Sequence, residues 1–180
     1  ELPKVEEACP HGLAPTTSTV LQLALGDALA IALLEGRGFT AQDFRVFHPG
    51  GKLGANLRLV RDVMHVGEAV PLVGVGTGMK DALVAMTGKS FGCVGVVDEA
   101  GLLVGIVTDG DLRRHISDHL LTCTVDEIMT VGPKTIRPDT LLARAMEILS
   151  SRSITALFVL DEGRPVGIVH MHDLLRAGVA

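Results

Sequence analysis

Four sets of residues have types and spacings that could do chemistry. Thr108 and Asp111 stand three apart where an apolar run, Gly105-Ile106-Val107, gives way to polar residues. A carboxylate there can accept two hydrogen bonds from a ribose diol, and a hydroxyl at the strand end can reach a phosphate. The alternative role for Asp111 is to cap the helix that follows. Sixty-two residues on, His170 replaces the hydroxyl and Asp173 keeps the carboxylate. An imidazole can also donate to a phosphate, and its charge near neutral pH predicts binding that weakens as pH rises. Thr16, Thr17 and Ser18 precede an apolar stretch, where free amides and hydroxyls at a helix start can hold a phosphate or simply cap the helix. His115 and His119, and His170 with His172, have metal-like spacing but no third ligand nearby in sequence, so no metal site is expected.

The elements that must carry these residues come in two copies. Asp62-Val63-Met64 answers to Glu127-Ile128-Met129, Asp81-Ala82-Leu83 to Arg144-Ala145-Met146, Val97-Asp98 to Leu160-Asp161, and Gly105-Ile106-Val107 to Gly167-Ile168-Val169. A repeat fixes architecture more firmly than local propensity does. Each copy reads as strand, helix, two strands, helix, an α/β arrangement over residues 57–120 and 121–180. In the second copy Thr135-Ile136 is a brief strand, Leu141 to Leu149 is helical by its apolar spacing, and Ala156 to Leu160 is a buried strand. Asp161-Glu162-Gly163 supplies a tight turn, and Val166 to Val169 returns. In the first copy the turn is Asp98-Glu99-Ala100-Gly101, between Val94 to Val97 and Leu102 to Val107. The closing helices should start at Asp109 and His172.

Residues 1–56 belong to neither copy. They predict a helix from Thr17 to about Glu35, stopped by Gly36-Arg37-Gly38, and a loop at Phe47-His48-Pro49-Gly50-Gly51. The apolar stretch Val20 to Leu34 is short for a bilayer and carries Gln22 and Asp27, so it reads as a buried helix of a soluble fold. A lone helix cannot bury its apolar face, which suggests the end of a domain that begins upstream.

Composition narrows the partners. The 180 residues carry 16 Lys and Arg against 21 Asp and Glu, a formal charge of −5, which disfavours nucleic acid. With no Trp, no Tyr and 5 Phe, stacking platforms for bases are scarce and the core must be aliphatic. Cys9, Cys93 and Cys123 form no CxxC pair and fit reduced thiols in the cytoplasm. No secretion signal and no membrane partner are expected.

The repeated unit, ending in Gly105-Ile106-Val107-Thr108-Asp109-Gly110-Asp111, resembles the CBS domain, and two in tandem resemble the CBS pair, or Bateman module. Glu7-Ala8-Cys9-Pro10, Leu13 to Thr19, Gly26-Asp27-Ala28-Leu29-Ala30, His48-Pro49-Gly50-Gly51 and the ending His170 to Gly178 together resemble the D-arabinose-5-phosphate isomerases, in which a sugar isomerase (SIS) domain precedes a CBS pair. The resemblance implies that residues 1–56 are the end of the SIS domain. It implies a parent enzyme that interconverts D-ribulose 5-phosphate and D-arabinose 5-phosphate for octulosonate, and so for lipopolysaccharide or capsule. Glu7 would be the base and His48 the ring-opening histidine, with Thr16, Thr17 and Ser18 near the substrate phosphate. Thr108, Asp111, His170 and Asp173 would hold a nucleotide or nucleotide-sugar effector, such as the cytidylate conjugate of octulosonate or an adenine nucleotide. A scaffold that binds nothing is the remaining alternative. The resemblance further implies no cofactor, a CBS dimer within a SIS tetramer, and no activity for residues 1–180 alone.

Overall fold

The computed structural model describes residues 2–47, 54, 57–116 and 119–179, which divide into two units, Glu1–Phe47 and His48–Ala180. In the first unit α1 spans Thr17–Gly36 and α2 spans Ala41–Phe47. The end of α1 is set by Arg37 and Gly38, whose amides donate to Leu33 and Glu35 carbonyls, with Gly38 at φ +62°. Burial of this helix, expected from its sequence, is not what the structure has: none of its residues is buried, and Leu23 is 67% exposed. Its apolar residues lie on every side instead of in one stripe, so a single packed face could not cover them. At 20 residues α1 is longer than the stretch counted from sequence and meets the length and composition needed to cross a membrane. After it, Asp43 Oδ2 accepts from the amide and hydroxyl of Thr40 and starts α2.

The second unit contains the two repeats. In the first, β1 (Leu72–Gly74) runs parallel to β2 (Cys93–Val97), which pairs antiparallel with β3 (Leu103–Thr108); α3 (Met79–Lys89) joins β1 to β2, and α4 (Asp109–Arg114) follows β3. After a short helix α5 (Val125–Ile128), β4 (Thr130–Val131) adds to the outer edge of β3. The second repeat has β5 (Thr135–Ile136), α6 (Leu142–Arg152), β6 (Ala156–Asp161), β7 (Arg164–His170) and α7 (Met171–Arg176), with β5 parallel to β6 and β6 antiparallel to β7.

Each main helix buries residues at the same spacing: Met79, Ala82 and Met86 in α3, Leu142, Ala145 and Leu149 in α6. Each ends on a serine in the left-handed region, Ser90 at φ 60° and Ser153 at φ 52°. The β6–β7 hairpin turns through Glu162 and Gly163, both at positive φ, as a two-residue turn between twisted strands requires.

The halves exchange their leading segments. Val60 joins the core of the second half, with Leu142, Leu157 and Val169, whereas Val125 and Ile128 join the core of the first, with Met79 and Val107. On the second sheet His65 bridges Ile168, giving its amide to the Ile168 carbonyl at 2.8 Å and accepting the Ile168 amide at 3.0 Å. On the first, Thr130 pairs with Ile106. These edge pairings lie outside the strand pattern expected from the sequence.

The exchanged segments cross two glycines. A Cβ on Gly105 would strike Met129, and one on Gly167 would lie 2.8 Å from Met64 Sδ. Between the sheets a smaller cluster, Val70, Cys93, Phe158 and Ile168, packs the halves together, with Phe158 seated on Gly95.

Candidate functional site

The exchange places polar residues around two cavities at the ends of β3 and β7. The first, of about 640 Å³, takes Thr108 and Asp111 from the first half, Thr130 and Lys134 from the exchanged segment, and Ser153 and Thr155 from the second half. Its volume lies within the range of small-ligand sites.

Asp111 is 3% exposed and its two oxygens do different work. Oδ2 accepts from the Thr108 amide at 2.9 Å and the Thr108 hydroxyl at 2.6 Å, while the Asp111 amide donates back to Thr108 Oγ1 at 3.2 Å. This reciprocal box starts α4. Oδ1 accepts from Arg114 Nη2 at 2.5 Å and from Thr130 Oγ1 at 3.4 Å. Burial alone would raise the Asp111 pKa, but the Thr108 hydroxyl and amide and the Arg114 guanidinium outweigh it and hold the carboxyl below its ordinary value. The cap and the ligand role weighed for Asp111 therefore compete for one side chain. Oδ1 is the atom a diol can reach, by displacing Arg114, whose side chain is 66% exposed. The Thr108 proton is spent on Asp111, leaving Arg113, Arg114 and Lys134 as the cavity's cations for a phosphate.

The second cavity, of about 450 Å³, is built at the equivalent place. Asp173 Oδ2 accepts from the His170 amide at 2.9 Å and pairs with His65 Nε2 at 3.1 Å. The His172 amide donates to His170 Nδ1 at 3.2 Å, so in the neutral ring the proton sits on Nε2. Phe91 lies between the imidazoles, edge-on to His65 at 5.1 Å and 6.4 Å from His170. Burial pushes the His170 pKa below its ordinary 6.5, and His172 adds to this while Asp173 opposes it. Gly92, Asp109 and Thr155 line both cavities.

In the first unit the sequence-derived candidates meet one another. Glu7 Oε2 accepts from the Thr16 amide at 2.6 Å, the Thr16 hydroxyl at 2.8 Å and the Ser18 amide at 3.3 Å. A carboxylate thus occupies the place considered for a phosphate. The Ser18 and Thr16 hydrogen bonds lower the Glu7 pKa to about 2, far below what a general base at neutral pH needs. Thr17 stands as the first residue of α1. His48 lies outside the described residues. No group of three or more His, Cys, Asp or Glu that could hold a metal occurs among the described residues.

The sequence profile of the CBS domain matches residues 60–118 and 125–180. The chain belongs to the CBS domain family. Its CBS pair has fold neighbours among solved structures. The CBS domain pair of protein MJ0100, solved with 5′-methylthioadenosine and S-adenosyl-L-methionine, is 27% identical with a TM-score of 0.59 over 66% of this chain and 94% of that one. CBSX2 in complex with AMP is 27% identical, TM-score 0.59, over 67% of this chain and 95% of the other. Among curated relatives, arabinose 5-phosphate isomerase KdsD of Pseudomonas aeruginosa is 56% identical over 178 residues, and that of Escherichia coli K12 is 46% identical over 177. These alignments cover 97% of this chain and 55% and 54% of the relatives, so the chain spans about half their length. The resemblance read from the sequence is borne out, as is the tandem CBS architecture.

Sequence reasoning missed His65, Thr130 and Arg176 of the CBS pair. The signal lay in the repeat: the match of Asp62-Val63-Met64 to Glu127-Ile128-Met129, carried one residue further, aligns His65 with Thr130. The 62-residue offset that aligns Asp111 with Asp173 also aligns Arg114 with Arg176.

Proposed function

We propose that this CBS pair is the effector-sensing part of an arabinose 5-phosphate isomerase and that its first cavity takes a nucleotide or nucleotide sugar. The observation that carries this reading is Asp111: a buried, ionised carboxylate whose Oδ1 faces a cavity walled by both halves and is held there by an exposed arginine and a 3.4 Å contact from the Thr130 hydroxyl. A ribose diol donating to Oδ1 would replace the Arg114 donor and free the guanidinium for the ligand's phosphate. Adenine-containing ligands in MJ0100 and CBSX2 support the ligand class. Binding between the halves biases their arrangement, and through it the isomerase, by the difference in affinity for each arrangement. The cytidylate conjugate of octulosonate, an activated form of the pathway's sugar, would then report downstream supply.

The parent activity we assign is interconversion of D-ribulose 5-phosphate and D-arabinose 5-phosphate in the cytoplasm, with Glu7 and His48 contributed by this chain. Glu7 serves as a base there only where Thr16 and Ser18 release its carboxylate.

Calorimetric titration with AMP, ATP, CMP and the cytidylate-linked octulosonate tests the sensor reading. One ligand should bind tightly and lose its affinity in Asp111→Ala. Silence from all four would favour the scaffold reading, in which Asp111 only caps α4.

A further inference from the structure

The chain enters the second unit through a clasp that recurs between its halves. The Val60 amide donates to the Thr140 carbonyl and the Leu142 amide to the Arg58 carbonyl, both at 2.8 Å. In the other half the Val125 amide donates to the Thr77 carbonyl at 2.9 Å and the Met79 amide to the Cys123 carbonyl at 3.0 Å. The repeat matches Val60 to Val125 and Thr77 to Thr140, so one clasp is built twice, each time at the start of a main helix. Side chains set the two apart. At the inner clasp Asp126 Oδ2 accepts the Gly76 amide at 2.6 Å. At the entry clasp Arg61 stands in the place of Asp126 and gives its amide to the Pro138 carbonyl at 3.0 Å. It faces Asp139, whose carboxyl is held below its ordinary value by the hydrogen bond from Arg137 and further by the charge of Arg61.

We propose that α6 carries the state of the first cavity to this entry clasp. Its two ends meet the two places: Leu142, its first residue, is held by Arg58, and Ser153 and Ile154, which follow its last, line the first cavity. Eleven residues separate them by about 16 Å of helix. The helix is anchored along that length, because Leu142, Ala145 and Leu149 lie in one core cluster with Val60 of the clasp, and the Leu149 carbonyl accepts the Ile154 amide at 3.0 Å. Close packing of that kind transmits a displacement instead of absorbing it. Ser153 is in the left-handed region at φ 52°, so the turn at the cavity end is strained backbone that a contact can hold in place. The inference rests on a ligand in the first cavity: held against Ser153 and Thr155, it orders the end of α6 and thereby tightens residues 58–61 at the other end. The inner clasp has no such role, since it joins the halves to each other and α3 starts from it.

Amide exchange, followed by NMR on the whole 180-residue chain, tests the coupling with and without ligand. Coupling is reciprocal, so loosening the clasp must loosen the cavity end even in the free protein. Arg61→Pro deletes the amide bond to Pro138 and the charge facing Asp139 at an exposed position in a single helical turn, Val60–Asp62. Exchange at Ser153 and Ile154 should quicken about three- to tenfold, the effect of one lost hydrogen bond, while Ser90 at the matched end of α3 keeps its rate. Asp126→Ala loosens the inner clasp and should leave Ser153 and Ile154 unchanged. Should Arg61→Pro fail to fold, Arg61→Glu keeps the amide, reverses the charge and should act in the same direction. Unchanged exchange at Ser153 and Ile154, or equal quickening at Ser90, would overturn the proposal. With ligand, saturating AMP or CMP should slow exchange at Val60, Arg61 and Leu142. A nucleotide that binds the first cavity without slowing them would overturn the coupling and spare the sensor reading. Binding by neither would count against the sensor reading, and the ligand-free comparison would still decide the coupling.

Discussion

His65 and Thr130 hold the same station in the two halves of the fold. His65 bridges Ile168 and brings Nε2 to 3.1 Å from Asp173 Oδ2, while Thr130 pairs with Ile106 and brings Oγ1 to 3.4 Å from Asp111 Oδ1. Both reach their aspartate because the segment ahead of each repeat adds to the sheet of one half while its helical turn packs in that half's core. One architecture thus carries a hydroxyl-lined cavity and an imidazole-lined cavity, and the chemical difference between the two comes from Thr108 and Thr130 giving way to His170 and His65 at matched positions.

The Thr108 cap should dominate the stability of the first site. Thr108→Val removes both the donor to Asp111 Oδ2 and the acceptor for the Asp111 amide, leaving a buried carboxylate short of a partner. The expected loss is about 1–2 kcal/mol in urea unfolding. Thr130→Val removes only a 3.4 Å contact and should cost less than about 0.5 kcal/mol. Because the folded Asp111 pKa is depressed, its contribution is complete above the ordinary carboxylate value of 3.8 and is lost as pH falls below it. Equal losses for the two variants would contradict this division of roles.

Phe158 should prove the main tie between the halves. It is 1% exposed, belongs to the cluster with Val70, Cys93 and Ile168, and rests on Gly95, where a Cβ would come within 2.8 Å of its ring. Phe158→Ala should destabilise by about 3–5 kcal/mol, and Gly95→Val by about 1–3 kcal/mol through overpacking. Both are read from the urea midpoint, and a value near zero for Gly95→Val would mean that the sheets separate at little cost.

Much of this was legible in the sequence because the repeat constrains both copies at once. Thr135-Ile136 and the Asp161-Glu162-Gly163 turn fall where alternation and turn chemistry put them, and α4 starts at Asp109 as expected. The exchange of Val60 and Val125 between cores was not legible, since no local pattern says which sheet a short apolar segment will join. For the same reason the place of Thr130 beside Asp111 was not legible. For α1 the sequence pointed both ways, to a buried helix by its apolar run and to an uncovered face by its isolation, because an apolar run announces that a surface must be covered but does not say by what. At Glu7 the sequence offered a base and a phosphate cradle side by side, and only geometry reveals that one fills the other.

The cysteines should separate by reactivity. Burial pushes the Cys93 thiol up to about 12, with Asp109 adding to the effect, so it is protonated and inert at neutral pH. Cys9 is partly exposed, and hydrogen bonds from the Ala14, His11 and Leu13 amides lower its pKa. Iodoacetamide at pH 7.5 should alkylate Cys9 well before Cys93, as followed by peptide mass spectrometry. Faster labelling of Cys93 would show that the cluster around Phe158 opens in the native state.

Glu7 makes the start of α1 acid-sensitive within a definable window. Its folded pKa of about 2 lies below the ordinary 4.5, so its hold on the Thr16 and Ser18 amides is complete above pH 4.5 and disappears as pH falls toward 2. Amide exchange at Thr16 and Ser18 should quicken across that interval relative to amides in the middle of α1. In Glu7→Gln the neutral amide oxygen accepts more weakly, so the exchange should already be fast at pH 6 and the acid step should vanish. Were the substrate-like ligand D-arabinose 5-phosphate to bind at this helix start in the intact enzyme, Glu7→Gln would tighten it, because the phosphate would no longer compete with a carboxylate for the same donors. Weaker binding in Glu7→Gln would instead place Glu7 on the sugar and not on the helix during turnover.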